Sequence, residues 1–525
     1  MKINYKIICI FLLCISLIGC SNHPKDEKTV NEVVANEERI FYTQEEYYPT
    51  NEWRISTPEA QGMDSTRLAD LFHEMNDLYP SVNSTVIIRN GYIVAERYRN
   101  GYSSDIKQFI YSATKSILSG IVGIAYDQGF VRLDDKVTDI FSNRNIQQLD
   151  ERKQNMTVEH LLMMREGFDQ SDNVTYGELL TSDDPIQFVL DLPMKEQPGL
   201  TLNYNSSDSH LLSAIVQEKS GMTTTDFAHK YLFEPLGIQN YYFAELHGVA
   251  LGGNGLMMTP RDVAKIGQLY LNEGEWEGKQ IISKEWIKAS TTTSFEDKMF
   301  RGYYGYHWYV DEFNNQPIYY AQGSYGQYLF VLPELDIAAV FTGGKDGHLA
   351  FDSLIDLVEP YIIGAVKSDK KLKENQKGYR ALVEATKEKK EEATLLASKT
   401  FPDSIDRIQN ESYDLSNNNN NYEKLSMNFG KDKAQLKIKY NDGSTEVLNA
   451  GFNKFVVNHS EDKHVSVKSN WEDEQTLIID FRDLEALYDY SWTIKFDENF
   501  HSFKLKALSE DGEVNIIGEI DVMDK

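Results

Sequence analysis

The stretch Phe109 to Gly120, FIYSATKSILSG, constrains this chain more than any other, because it can set a nucleophile and its activator on a single helical turn. Ser112 and Lys115 stand three residues apart, a spacing that puts both side chains on one face of a 3.6-residue helix. Ile117, Leu118, Ile121, Val122, Ile124 and Ala125 continue the run. A helix that is apolar nearly all round is a central one, so the serine is expected on a rigid, buried support. A lysine there loses its hydration, which lowers its pKa toward the range of a base able to activate a hydroxyl. The same Ser-x-x-Lys spacing recurs at Ser104 and Lys107, Ser368 and Lys371, and Ser460 and Lys463. Those copies lie among Gly, Asp, Lys and His, where a lysine is expected to stay hydrated. Context, and not spacing, selects Ser112.

With 525 residues the chain has room for more than one domain. Lys2 and Lys6 precede an apolar run from Ile7 to Ile18, too short to span a bilayer and suited to a secretory signal. The run ends Leu17-Ile18-Gly19-Cys20, which resembles the lipobox of bacterial lipoproteins and implies lipidation of Cys20 as the first mature residue. All three cysteines fall in this segment, so the mature chain would keep no thiol for disulfides, zinc or thiolate catalysis. Loss of two lysines and no acid would take the net charge from −28 to −30, which argues against nucleic acid or anionic lipid as a partner. The expected address is the cell envelope, with a membrane contact through the lipid at Cys20.

Taken in order, the chain reads as a signal peptide over residues 1–19 and an acidic tether over 20–52. Apolar residues at helical spacing mark Met63 to Tyr79. Two β-rich runs flank Asn90-Gly91, a hairpin signal, within Ser84 to Tyr98. Helical patterns then dominate from Val131 to Lys298: one starts near Met156 with Thr157 as cap, one at Pro185, one spans Ser206 to Ser220 with Ser206, Ser207 or Asp208 as cap, and one runs from Thr259-Pro260 to Tyr270. Strands return at Tyr303 to Val310, Pro317 to Ala321, Gly326 to Leu332 and Asp336 to Thr342, and an apolar helix near Ala350 to Val366 is expected to close the unit. Strands at both ends with helices between them predict an α+β domain over 53–366, its antiparallel sheet built from the two ends. A charged helical linker is expected over 367–400, and an all-β domain, sandwich or small barrel, over 401–525.

Two more stretches give Ser112 company. Gln197 to Gly221 places Tyr204 in a turn before a helix, and Tyr320 to Gly344 reads as a Gly-rich strand edge followed by a hairpin. In this order the three resemble the motifs of the serine β-lactamase and penicillin-binding-protein superfamily, in its class C-like branch with family VIII esterases and nylon-oligomer hydrolases. The resemblance covers Trp53 to Val366. It implies a β-lactamase-like sheet flanked by helices with an inserted helical subdomain, and a serine hydrolase working through an acyl-enzyme. Ser112 would be the nucleophile, Lys115 its proton acceptor, and Tyr204, in Tyr204-Asn205-Ser206, a proton shuttle to the leaving group. The oxyanion hole would use the backbone N–H groups of Ser112 and Ser324, with Gly323 letting the strand edge come close.

The third motif departs from the family. β-Lactamases usually place Lys or His two residues before the glycine to meet a carboxylate, and this chain has Ala321 there. That argues against efficient β-lactam hydrolysis and for an ester, amide or small peptide substrate, including one derived from the cell wall. Glu166 has a counterpart in class A enzymes but a different surrounding pattern, and reads as structural. The 11 histidines are scattered, with no metal motif, so neither metal nor cofactor is expected; His160, His210 and His307 read as packing or surface residues. Tyr303, Tyr304, Tyr306, Trp308 and Tyr309 read as half core and half cleft rim. Two alternatives stay open: a non-catalytic envelope-binding protein, and a penicillin-recognising carboxypeptidase or β-lactamase.

Overall fold

The computed structural model describes residues 47–293, 295–298, 301–344, 353–387, 403–460, 463–509 and 512–520. The signal, Cys20 and most of the tether lie outside them. Among the described residues, two large sheets organise the fold. The first has eight strands: β1 (Arg54–Ile55), β2 (Val82–Arg89), β3 (Tyr92–Tyr98), β4 (Tyr303–Tyr304), β5 (Tyr309–Phe313), β6 (Gln316–Gly323), β7 (Gln327–Leu332) and β8 (Ile337–Gly343), in spatial order β1-β3-β2-β8-β7-β6-β5-β4. The early hairpin pairs with the late strands through β2 and β8, so the sheet is indeed built from the two ends of the segment. Asn90 and Gly91 close the hairpin with φ of 51° and 76°, the left-handed pair that matches strand twist in a two-residue loop.

The labelled helices are α1 (Ser65–Leu78), α2 (Thr114–Asp127), α3 (Val158–Leu162), α4 (Asp172–Leu180), α5 (Pro185–Asp191), α6 (Ser207–Ser220), α7 (Pro260–Leu271) and α8 (Gln376–Thr386). Every residue of α2 from Thr114 to Ala125 is buried, which makes it the central helix that its apolar run predicts. Tyr111–Ala113 forms a 3₁₀ turn leading into it, so Ser112 stands just ahead of the α-helix. Thr157 and His160 cap α3 reciprocally, and Thr259 caps α7 ahead of Pro260. The cap of α6 differs from expectation. Ser206, Ser207 and Asp208 make no side-chain cap, and the Asn205 side-chain oxygen instead accepts the Asp208 N–H at 2.7 Å, which leaves the Ser206 hydroxyl for another partner.

Two expectations after β8 change. The apolar segment ending at Val366 is a chain of short 3₁₀ and π turns over Ser353–Ala365 instead of one helix. Pro360 lacks the N–H that an α-helix needs and clashes with the preceding turn, and Gly364 weakens the helical tendency of the last turn. The charged stretch after it is no free linker at its start. Leu372 N–H donates to Glu59 O, Asn375 Nδ2 to Thr66 Oγ1, and Leu382 and Ala385 of α8 are buried in the core that holds α1. Glu and Lys occupy the outer face of α8 only.

The second sheet comprises β9 (Ser412–Leu415), β10 (Tyr422–Phe429), β11 (Lys433–Tyr440), β12 (Thr445–Phe452), β13 (Val456–His459), β14 (His464–Trp471), β15 (Thr476–Asp483), β16 (Tyr488–Phe496), β17 (Ser502–Ser509) and β18 (Gly512–Ile520). Parallel pairing of Gly451 with Lys468 and Phe452 with Ser469 joins β12 to β14 and closes a nine-strand barrel, with β13 hairpinned onto β14. Alternation explains the interior: in β11, Ala434, Leu436 and Ile438 point in, while Lys433, Gln435 and Lys437 point out. Tyr413, Phe481, Trp492, Phe496 and Phe503 fill the core, so the barrel is packed and not hollow.

If α8 belongs to the fold, Leu382→Ala should lower stability by about 2–5 kcal/mol in urea unfolding, as for other buried leucines. A flexible linker would show no measurable loss.

Candidate active site

Lys115 is the hub of the site. Its side chain is 1% exposed, and its Nζ lies 3.2 Å from Ser112 Oγ, 3.0 Å from Ser206 Oγ and 2.7 Å from the Gly253 carbonyl oxygen. Three acceptors around a tetrahedral nitrogen match the three donors of an ammonium. Burial nevertheless disfavours the charge and brings Lys115 down to about 8, with Asp172 and then Asp208 pulling the other way. Close approach of the Gly253 carbonyl needs a residue without a side chain, since a Cβ at 253 would stand 2.8 Å from Ser206 Cβ.

Tyr204 completes the group that the sequence brings together from two distant motifs. Its hydroxyl is hydrogen-bonded to Ser112, and its ring centre lies 4.8 Å from Lys115 Nζ. Burial raises the phenol, and the Ser112 contact offsets only part of that, so Tyr204 is a neutral donor near pH 7. The more easily titrated group is the lysine. Tyr304 stands edge-on to the Tyr204 ring at 6.2 Å, whereas Trp308 and Tyr309 are core residues, so the aromatic run supplies one ring against the site and more to the interior.

Gly323 sits at the end of β6 directly beside the turn that carries Ser112. A Cβ there would be 2.3 Å from the Ile110 carbonyl oxygen and 3.1 Å from the Ala113 nitrogen. The turn that carries Ser112 therefore itself demands glycine here. Ser324 follows in the three-residue turn to β7, with Tyr325 and Gly326 left-handed at φ 62° and 83°. Ala321 is 1% exposed in the core, so its position offers a methyl group where a cation is usual.

Several residues that carry no motif hold this arrangement. Asp172, at the start of α4, accepts the Ser206 N–H at 2.5 Å and is the foremost negative charge acting on Lys115. Tyr176 on the same helix donates to Asn254 at 2.6 Å, tying α4 to the loop that carries Gly253. Glu166 and Asp208, both fully buried, are hydrogen-bonded to one another, and burial raises both carboxyls, Asp208 well above its usual range with Glu166 adding to the effect. Two carboxyls in contact resist ionising together, which adds to the effect of burial. Glu166 also accepts from Asn205 Nδ2 at 3.2 Å, so it braces the Tyr204–Ser206 turn from beneath. His307 touches the Lys115 carbonyl at 3.3 Å and is held neutral, near 3, by burial and by Lys115; His210 is a buried neutral residue near 4. The described residues contain no cluster able to hold a metal ion.

Residues 79–352, just over half of the sequence, match the family model described as Beta-lactamase. The chain belongs to the β-lactamase family. Within it, the 6-aminohexanoate-dimer hydrolase of Paenarthrobacter ureafaciens is 23% identical over 302 residues, covering 53% of this chain and 75% of that protein. A candidate 6-aminohexanoate-dimer hydrolase from Bacillus anthracis superposes with a TM-score of 0.52 at 18% identity, covering 62% of this chain and 89% of that one, which shows the shared fold. The octameric penicillin-binding protein homologue of Pyrococcus abyssi has a TM-score of 0.48 at 19% identity and covers 87% of this chain and all of its own. The β-lactamase-like fold expected from the three motifs is therefore the fold observed.

Because Asp172 raises the Lys115 pKa, Asp172→Asn should shift the lysine's titration downward from about 8 while keeping an acceptor for Ser206. The pH dependence of Ser112 acylation measures this: the inflection should move to lower pH.

Proposed function

We propose that this chain is a lipid-anchored serine hydrolase of the cell envelope that forms an acyl-enzyme at Ser112 on an ester, amide or small peptide. The observation that carries the reading is the desolvated Lys115, within hydrogen-bond reach of a serine that is also bonded to Tyr204. A lysine held in this way has an obvious chemical use and a high structural cost.

The steps follow from the proton positions. Below about pH 8 Lys115 is mostly an ammonium, with about one molecule in ten carrying the free amine at pH 7. The amine takes the Ser112 proton as Oγ attacks the substrate carbonyl, and the ammonium so formed is met by Ser206, the Gly253 carbonyl and the charge of Asp172. Tyr204, a neutral phenol, gives its proton to the departing oxygen or nitrogen and regains one by way of Lys115. The backbone N–H groups of Ser112 and Ser324 face the developing oxyanion, and Gly323 brings the second strand close enough for them to converge. Water then attacks the acyl-enzyme by the reverse proton path.

An amide substrate is supported by the relative named a 6-aminohexanoate-dimer hydrolase, and the missing cation at Ala321 speaks against the penicillin-recognising alternative. The anchor at Cys20 rests on the sequence alone; no helix among the described residues is long and apolar enough to cross a membrane. Metabolic labelling with a palmitate analogue tests it, the label being expected in the natural chain and absent from Cys20→Ala.

Turnover of p-nitrophenyl esters or labelling by a fluorophosphonate tests the chemistry. Ser112→Ala should abolish both, and kcat/KM should rise with pH to a plateau with its midpoint near 8, because the active form is the deprotonated lysine. Retention of full activity in Ser112→Ala would remove the reading, and binding of wall material without any acylation would favour the non-catalytic alternative.

A further inference from the structure

The turn between β15 and β16 has features that its place in the barrel does not explain. Hairpin tips are ordinarily polar and solvated. This one, Leu484-Glu485-Ala486-Leu487, keeps Leu484 at 0% and Leu487 at 3% exposure. Leu487 adopts φ 56°, a left-handed conformation that favours glycine, so the side chain is retained against the backbone's preference. Asp483 stabilises the turn by accepting the N–H groups of Glu485 and Ala486 at 3.1 and 2.9 Å.

Apart from Val457 on β13, the apolar partners of these leucines lie outside the barrel. Leu484 and Leu487 form one apolar cluster with Tyr102 and Ile106 of the segment that leads to Ser112, and Tyr111 packs on the same cluster. Glu485 adds polar contacts: its carbonyl accepts the Phe109 N–H at 3.2 Å, and its carboxylate meets Lys107 Nζ at 2.9 Å and His464 Nδ1 at 3.3 Å. Alternate residues before the nucleophile, 107, 109 and 111, thus all bear on one turn of the barrel. Tyr111 itself is left-handed at φ 47° and meets the Tyr325 ring edge-on at 5.1 Å. A non-glycine residue keeps such a conformation only where its surroundings over-determine it.

We propose that the barrel turn 484–487 is a strut of the active site: it holds Tyr111 in its left-handed conformation and so fixes where Ser112 Oγ stands relative to Lys115 and Tyr204. This rests on the serine-hydrolase reading of the site. Glu485 and Leu487 are positioning residues that act through the backbone of 107–111. The eight-stranded sheet and its helices supply the reacting groups, and the docked barrel completes their alignment.

The test uses the full chain. Leu487→Gly keeps a residue at ease with φ 56° and removes the contact, and Glu485→Gln keeps the backbone acceptor while dropping the charge on Lys107. With the fold checked by circular dichroism, fluorophosphonate labelling of Ser112 should slow about tenfold or more in Leu487→Gly, and less in Glu485→Gln, with the midpoint of its pH dependence unchanged. Amide hydrogen exchange at Phe109 and across Tyr111–Ala113 should accelerate in the same order. A purely structural contact would lower the melting temperature and leave the labelling rate of the folded protein as it was, and that result overturns the proposal. Should the natural chain not label at all, the hydrolase reading fails separately, and hydrogen exchange decides the strut: faster exchange at Phe109 in Leu487→Gly supports it, and unchanged exchange overturns it.

Discussion

Everything at this site depends on keeping one ammonium group out of water. Lys115 loses its hydration shell to α2 and its neighbours, and an uncompensated charge there would be prohibitive. The fold answers with hydroxyls and a carbonyl set at hydrogen-bond distance and with a carboxylate, Asp172, farther off. That compensation is partial. Full compensation, by a carboxylate in direct contact, would fix the proton on the lysine and leave no base. A site made only of neutral acceptors would drive the pKa far lower and leave too weak a base. Neutral partners close by and a negative charge at one remove give the intermediate value near 8.

The same logic explains the buried acids beneath the Tyr204 turn. A second full negative charge next to Asp172 would stabilise the ammonium further and cost a great deal to bury. Burial and mutual repulsion push both Glu166 and Asp208 toward their neutral forms, and the pair braces Asn205 and α6. Asn205 then performs the capping that Ser206 would otherwise do, and the freed Ser206 hydroxyl turns to Lys115. The Ser206 hydroxyl is thus available to Lys115 because its neighbour took over the cap.

How much the sequence discloses depends on the range of the physics involved. Ser112 and Lys115 are legible because one helical turn fixes their proximity, and Tyr204 and Gly323 because motifs in order carry them. The hairpin at Asn90-Gly91 is legible because φ preferences are local. Asp172 is not, since its use depends on α4 folding back over a turn in another segment. Lys107 has the local surroundings of a hydrated lysine and is instead paired with Glu485, from a strand connection hundreds of residues away. Closure of the barrel rests on two parallel pairs between β12 and β14, and alternation, which reports only that one face is buried, does not distinguish a barrel from a sandwich. The turns over Ser353–Ala365 show the opposite failure: apolar composition suggests a helix that Pro360 forbids.

A packed barrel interior narrows the possible contributions of the C-terminal part. Trp492, Phe481 and Phe496 fill the space between strands, which leaves the outer surface and the turns as the parts open to other contacts. One of those turns exchanges the polar residues expected at a hairpin tip for buried leucines and a left-handed Leu487. The segment it meets ends in a left-handed Tyr111, immediately before Ser112. Each of these conformations is unfavourable in isolation, and the two meet in one apolar cluster. Such an arrangement makes the geometry of Ser112 sensitive to a surface that bears no reacting group.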